Sequence, residues 1–204
     1  MPRPSLKEQR AREILDSYLA CVAKHGLGDA TQERIAAAAG VKRSILRHYL
    51  GNKRDMVLAL TKHLVTKFDN QTRGFENSGY NERIIDDLIE LLFSAESLTE
   101  PELVLVYQAL IFAVEEYPEV RQPLLSSIER LARFISGVLE SRYPNSTKER
   151  IDAASHGLVV LHLNYDTISP LNPPIQWRKH SYMAAVSLLE SLGEEKKDTA
   201  RSIP

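Results

Sequence analysis

Apolar residues recur at helical spacing along almost the whole chain, and no stretch of useful length alternates as a half-buried strand would. Residues 6–25 open the pattern. Ile14, Leu15, Tyr18, Leu19 and Val22 fall at i, i+1, i+4, i+5 and i+8, which is one face of a helix, and Gly26 and Gly28 should stop it. A short helix starting near Thr31 carries Ile35, Ala36 and Ala39 and should end at Gly40. A third runs from about Lys42 to Leu50 and should end at Gly51. Asn52 has the character of an N-cap, with Asp55 three residues later in capping-box position, so a fourth helix is expected over about 53–73.

The remaining segments are longer. Helices are expected over about 81–95, with Ile84, Ile85, Leu88, Leu91 and Leu92 on one face, and over about 101–116, opened by Pro101 in its first turn and closed before Pro118. The latter is apolar nearly all round, which predicts a central, buried position. Further helices should span about 119–142, ending before Pro144, and about 147–168, capped by Ser146 or Thr147. Ser169–Pro174 has the composition of a loop. A last helix is expected over 175–192, with Gly193 ending it and a polar tail behind. The pattern therefore predicts an all-α protein of about nine helices.

Composition narrows the class. With 43% apolar residues, the 204-residue chain can bury a substantial core. Its longest purely apolar stretches, such as Leu158–Leu161, fall far short of the ~20 residues that span a bilayer, so no membrane partner is expected. The charged start lacks the apolar centre of a signal peptide, and a cytoplasmic location follows as the expectation. The single cysteine, Cys21, excludes an internal disulfide and a multi-cysteine metal site; it reads as a small helix residue rather than a redox sensor. Net charge is −1, but it is unevenly spread: residues 1–55 carry 11 Lys and Arg against 6 Asp and Glu, leaving the remainder acidic. A basic first quarter on an acidic remainder suits a DNA-reading head on a body that does not touch DNA.

The chemistry concentrates in residues 31–53. Two short helices meeting at Ala39-Gly40-Val41 form a helix-turn-helix, because Gly40 permits a positive-φ turn that a side chain would resist. Ala36 and Ala39 are small enough for close helix approach. Leu46 and Leu50, four apart, should pack inward with Ile35. Arg43, Ser44, Arg47 and His48 then share the opposite face, which is rich in donors and long enough to enter a major groove about 12 Å wide.

This segment resembles the TetR family of transcriptional regulators. The shared features are Thr31 opening the second helix, Ile35-Ala36, Ala39-Gly40-Val41, a short polar recognition helix with Tyr49, and Asn52-Lys53 at the fourth. The resemblance implies a three-helix DNA-binding head over 1–52 and a C-terminal bundle over 53–204 for effector binding and dimerisation. It places Thr31 and Gln32 near phosphate, and makes an anion site of Lys53 with the free amides opening the fourth helix. Lys42, Arg43, Ser44, Arg47, His48 and Tyr49 become the recognition-helix contacts. Arg43, Arg47 and His48 are expected to read bases; Lys42, Lys53 and the second-helix residues are expected to position. Arg47, Ile45 and Leu50 depart from the usual Tyr, Thr or Ala, and Phe. Arg47 is left to contact phosphate or a guanine edge; Ile45, to touch a thymine methyl or stay in the core. Arg3 and Lys7 form either a groove-reaching arm or a frayed end.

The same resemblance implies a homodimer through the last two helices, about residues 147–192, and a small-molecule effector in the body. Residues 175–192 support the first: Trp177, Ala184 and Leu188 lie on one face, with Tyr182, Ala185, Leu189 and Leu192 on or near the other, and two apolar faces need cover on both sides. Gly157 would permit a close helix crossing. Candidate effector contacts are Phe93, Tyr107, Gln108, Phe112, His162 and Tyr165, implying a largely apolar ligand with one or two polar anchors. Effector binding would favour a conformer whose heads no longer match adjacent major grooves, and the family default is a repressor released from a palindromic operator. Enzymatic signatures are missing: the sequence has no Glu-x-x-His, His-Glu-x-x-His or Gly-x-Ser-x-Gly, and no Gly-rich phosphate loop. No catalytic residue, metal or cofactor is expected. A helical adaptor that binds only protein is the other rival, and it should lack a salt-dependent affinity for duplex DNA.

Overall fold

In the computed structural model, residues 5–76, 84–93 and 100–193 are described. They form nine α-helices and two 3-10 turns, and no strand occurs among them. The helices are α1 (Leu6–Asp29), α2 (Gln32–Ala38), α3 (Arg43–Leu50), α4 (Lys53–Glu76), α5 (Ile84–Phe93), α6 (Pro101–Phe112), α7 (Arg121–Arg142), α8 (Lys148–Ile168) and α9 (Ile175–Gly193). Arg3, the outer ends of the helix expected over 81–95, and the polar tail lie outside the described residues.

The chain divides into two compact units. One comprises residues 1–79, 99–131 and 166–172; the other, 80–98, 132–165 and 173–204. The first unit is built on α1, which packs against α2, α4 and α6. Ser5 and Glu8 close a capping box at its start. Ile14, Tyr18 and Val22, spaced by four, are buried, as are Ile35 of α2, Leu46 and Leu50 of α3, Leu60 and Leu64 of α4, and Val106 and Leu110 of α6. Each such side chain removed from water contributes about 1.5–3 kcal/mol, so the short helices α2 and α3 owe their order to this core. Cys21 is buried at its edge, and burial pushes its thiol pKa up, as an inert core residue requires.

The first helix breaks at Gly26, at φ 78°, as its sequence predicts, and a short further turn runs to Asp29. Two expectations change here. Residues 113–116 leave the α-helical path, so α6 ends at Phe112, and the next helix is preceded by a separate 3-10 turn, Pro118–Val120. Nor is α6 buried all round. Leu103, Val106 and Leu110 face the core, whereas Leu105, Ile111 and Phe112 are exposed, Phe112 by 85%. Apolar composition on every side shows what a helix can bury; its neighbours decide which sides are covered.

In the second unit α5 packs against α9. Leu88, Leu92, Ile135, Leu139, Leu158, Leu189 and Leu192 are buried. The C-terminal end of α5 is held by two side chains. His162 Nδ1 lies 3.0 Å from the Leu92 carbonyl, and Arg178 Nε donates to the Phe93 carbonyl at 2.7 Å. The Arg178 guanidinium at that end complements the helix dipole. Thr147 caps α8 by accepting from the Arg150 amide. Gly157 allows α8 and α9 to approach closely: a Cβ there would sit 2.9 Å from Leu188 Cδ1. The expected loop at Ser169–Pro174 contains a 3-10 turn, Ser169–Leu171, assigned to the first unit.

Candidate nucleic-acid interface

The turn between α2 and α3 has the backbone its sequence requires. Gly40 sits at φ +63°, and the Val41 amide donates to the Ala36 carbonyl at 2.9 Å, folding the chain back at once. Gly51, at φ +75°, makes the next corner. Only Leu46 and Leu50 of α3 are buried. Arg43, Ser44, Arg47 and His48 are exposed together with Lys42, and Tyr49 is half-buried with its ring edge-on to His48. Ile45 is 41% exposed, so of its two readings the core position does not hold.

The flanking helix starts carry complementary features. Thr31 is the N-cap of α2, its hydroxyl oxygen accepting from the Arg34 amide at 3.3 Å. Its O–H hydrogen is left to donate outward. At α4, Asn52 and Asp55 form the expected capping box. The Asn52 amide donates to Asp55 Oδ2 at 3.0 Å, and the Asp55 amide donates to Asn52 Oδ1 at 3.2 Å. That arrangement consumes two of the amides at this helix start and leaves those of Lys53 and Arg54, beside the exposed Lys53 side chain, as the anion-facing donors.

Two partners were not legible in the sequence. Gln32 does not simply point outward: its Oε1 accepts from Arg43 Nε at 3.0 Å, and Arg43 Nη1 pairs with Glu33 at 2.7 Å. Arg54 turns away from the α3 face. It pairs with Glu119, donates to the Glu116 carbonyl at 3.4 Å and lies over the Tyr117 ring, joining the start of α4 to the segment after α6. Neither pairing follows from helical spacing, because each crosses a turn or a long sequence interval.

A basic, donor-rich α3 face bracketed by two helix N-termini is the arrangement by which helix-turn-helix proteins enter a major groove. The sequence model for bacterial regulatory proteins of the tetR family matches residues 14–60, which takes in α2, α3 and their flanks. Over those residues the chain is similar to the TetR family. It is 24% identical over 160 residues to the HTH-type transcriptional regulator BetI of Rhizobium meliloti strain 1021, covering 78% of each chain. Among solved structures, a TetR transcription regulator from Haloarcula marismortui ATCC 43049 superposes with a TM-score of 0.75 at 15% identity, covering 90% of this chain and 98% of that one. The multidrug binding protein EbrR, solved in complex with imidazole, superposes at 0.63 and 14% identity, covering 98% and 100%. At such identities the structural likeness speaks to the fold alone.

The candidate effector residues fall in two groups. Tyr107, Gln108 and Phe112 belong to the first unit. Tyr107 is half-buried with its ring edge-on to Phe68 at 6.0 Å, and burial pushes its hydroxyl pKa up. Gln108 donates to the Thr167 carbonyl at 2.9 Å. Phe93, His162 and Tyr165 belong to the second unit, where Phe93 and Tyr165 are buried. On α9, Ala185, Leu189 and Leu192 are buried, while Trp177, Tyr182 and Met183 are each about half exposed. Of the residues expected on or near the second face, Ala185, Leu189 and Leu192 are covered within the chain and Tyr182 is not. Among the described residues no helix is long and apolar enough to cross a membrane.

Proposed function

We propose that the chain is a cytoplasmic, non-enzymatic repressor that reads a palindromic operator as a homodimer and is released by a small, largely apolar effector. Residues 1–52 act as the reading head and residues 53–204 as the body that binds effector and partner. The observation that carries the reading is the α3 face: Arg43, Ser44, Arg47 and His48 all exposed on a helix held from behind by only Leu46 and Leu50. Arg47 and His48 supply base readout, Ile45 reaches a thymine methyl, and Lys42, Tyr49, Lys53 and the Thr31 hydroxyl fix the head on phosphates. The exposed apolar residues of α9 support dimerisation through α8 and α9, since a partner subunit would cover them. EbrR, with which the chain shares its fold, is a multidrug binding protein, and a ligand of that kind suits the second unit, with Phe93, His162 and Tyr165 as anchors. Release follows if the effector binds more tightly to the conformer whose heads do not match successive grooves, about 34–36 Å apart.

The test is selection from a random duplex pool by purified protein at moderate salt. Enrichment of a palindrome with half-sites about one helical turn apart is expected. A folded, dimeric protein that enriches no sequence, even after extraction of bound small molecules, would overturn the proposal.

A further inference from the structure

Arg43 is the first residue of α3, a position where the helix dipole disfavours a cation. The structure shows what offsets this. The guanidinium is gripped from two consecutive residues across the turn, by Gln32 Oε1 at Nε (3.0 Å) and by Glu33 at Nη1 (2.7 Å). Glu33 itself lies in the first turn of α2, where a carboxylate is favoured. Gln32 is in turn seated by its Nε2 against Met56 Sδ of α4 at 3.8 Å, so the grip is anchored to a third helix.

As a stabilising ion pair this is worth little, because both side chains are more than half exposed, at 57% and 62%. Its geometric effect is larger. A guanidinium is planar, so two acceptors on different nitrogens fix its plane as well as its position. Nη2 remains, among the described residues, for an outside acceptor. The carboxylate also cancels the charge that would otherwise draw Arg43 to whichever phosphate lies nearest.

We infer that Glu33, with Gln32, is a positioning residue that withholds Arg43 from the phosphate backbone and presents it edge-first to one base pair in each half-site. The inference rests on the DNA-reading function proposed above. Glu33 touches no base; it sets specificity through Arg43. An acidic residue inside a basic reading surface thus trades non-specific affinity for discrimination.

Two variants separate the geometry from the charge. Glu33→Asp keeps the charge and shortens the reach. Glu33→Ala removes both. Each is assayed by duplex-pool selection and by the salt dependence of binding to non-specific duplex, with helical content and melting temperature as folding controls. Both should relax preference at the same single position of each half-site, by about tenfold, the low end of what a direct base contact is worth. Glu33→Ala alone should also tighten non-specific binding and steepen its salt slope by up to about one unit, as Arg43 becomes free for a phosphate. Arg43→Ala should relax the same position. If both Glu33 variants retain the wild-type preference everywhere and shift only overall affinity, the inference is overturned and Glu33 is merely a charge. If Arg43→Ala leaves the preference intact while wild type still selects an operator, the inference falls and the DNA-reading function stands. If wild type selects nothing, both fall together.

Discussion

Arg47 and Lys53 are both basic and exposed on the same head, yet they should fail differently when removed. Arg47 projects from the last turn of α3 with no ion-pair partner among the described residues, and the proposed role is a base contact. Arg47→Ala should weaken operator binding by about 1–3 kcal/mol while leaving helical content unchanged, as a titration of cognate against scrambled duplex would report. Equal affinities in wild type and variant would remove Arg47 from the interface. Lys53 opens α4 beside the two amides its capping box leaves unpaired. Lys53→Ala should weaken cognate and scrambled duplex alike and lower the salt slope by about one; a loss confined to the cognate duplex would contradict the phosphate role. Asp16 offers a test away from DNA. Burial alone would raise its pKa, but the hydrogen bonds from His63, at 2.8 Å, and Lys67, at 2.9 Å, outweigh burial and hold the carboxyl below its ordinary value. A depressed folded pKa contributes stability above the unfolded value of about 3.9, and that contribution is lost as pH falls through the folded value. Asp16→Asn should therefore melt below wild type at pH 7, and the gap should narrow as the pH falls below the unfolded value.

At the scale of elements, the turn chemistry is the most sensitive part. Gly40 holds a positive φ in open space, so Gly40→Ala meets no neighbour and should cost only the backbone penalty of about 1–2 kcal/mol, seen as a lower melting temperature. The head was legible in the sequence for the same reason. Capping residues, positive-φ glycines and the four-residue spacing of Leu46 and Leu50 are local signals, and each acts within one or two turns of chain. What escaped was non-local. The Glu33–Arg43 pair spans ten positions across a turn, and the anchoring of Arg54 near Glu119 spans more than sixty. Periodicity also could not show that Phe112 would face solvent, since a helix apolar on all sides gives no preferred direction to its burial. Gly26, by contrast, was legible: its positive φ breaks the first helix where the sequence placed the stop.

For the whole molecule, the decisive quantity is the oligomeric state. Trp177, Tyr182 and Met183 are large apolar groups left about half exposed on α9 of the single chain, and the proposed dimer would cover at least part of them. Met183→Glu would place a charge in that contact. Sedimentation should show wild type at twice the chain mass and the variant shifted toward one, with operator affinity falling in parallel because a lone head spans half a palindrome. A variant that stays dimeric would move the interface elsewhere.

The recognition helix is fastened to the protein at very few points. Two glycine corners bound it, and two leucines are its only fully buried anchors, while the positions that face outward carry none of the core. It is in effect a replaceable cassette. Its outward residues can drift, or be exchanged by design, without passing through a folding crisis, so a lineage can acquire a new operator faster than it can acquire a new scaffold. Replacing Arg43, Ser44, Arg47 and His48 together should redirect the selected sequence while the melting temperature stays within a few degrees of wild type, as small surface effects of about 0.5 kcal/mol each allow.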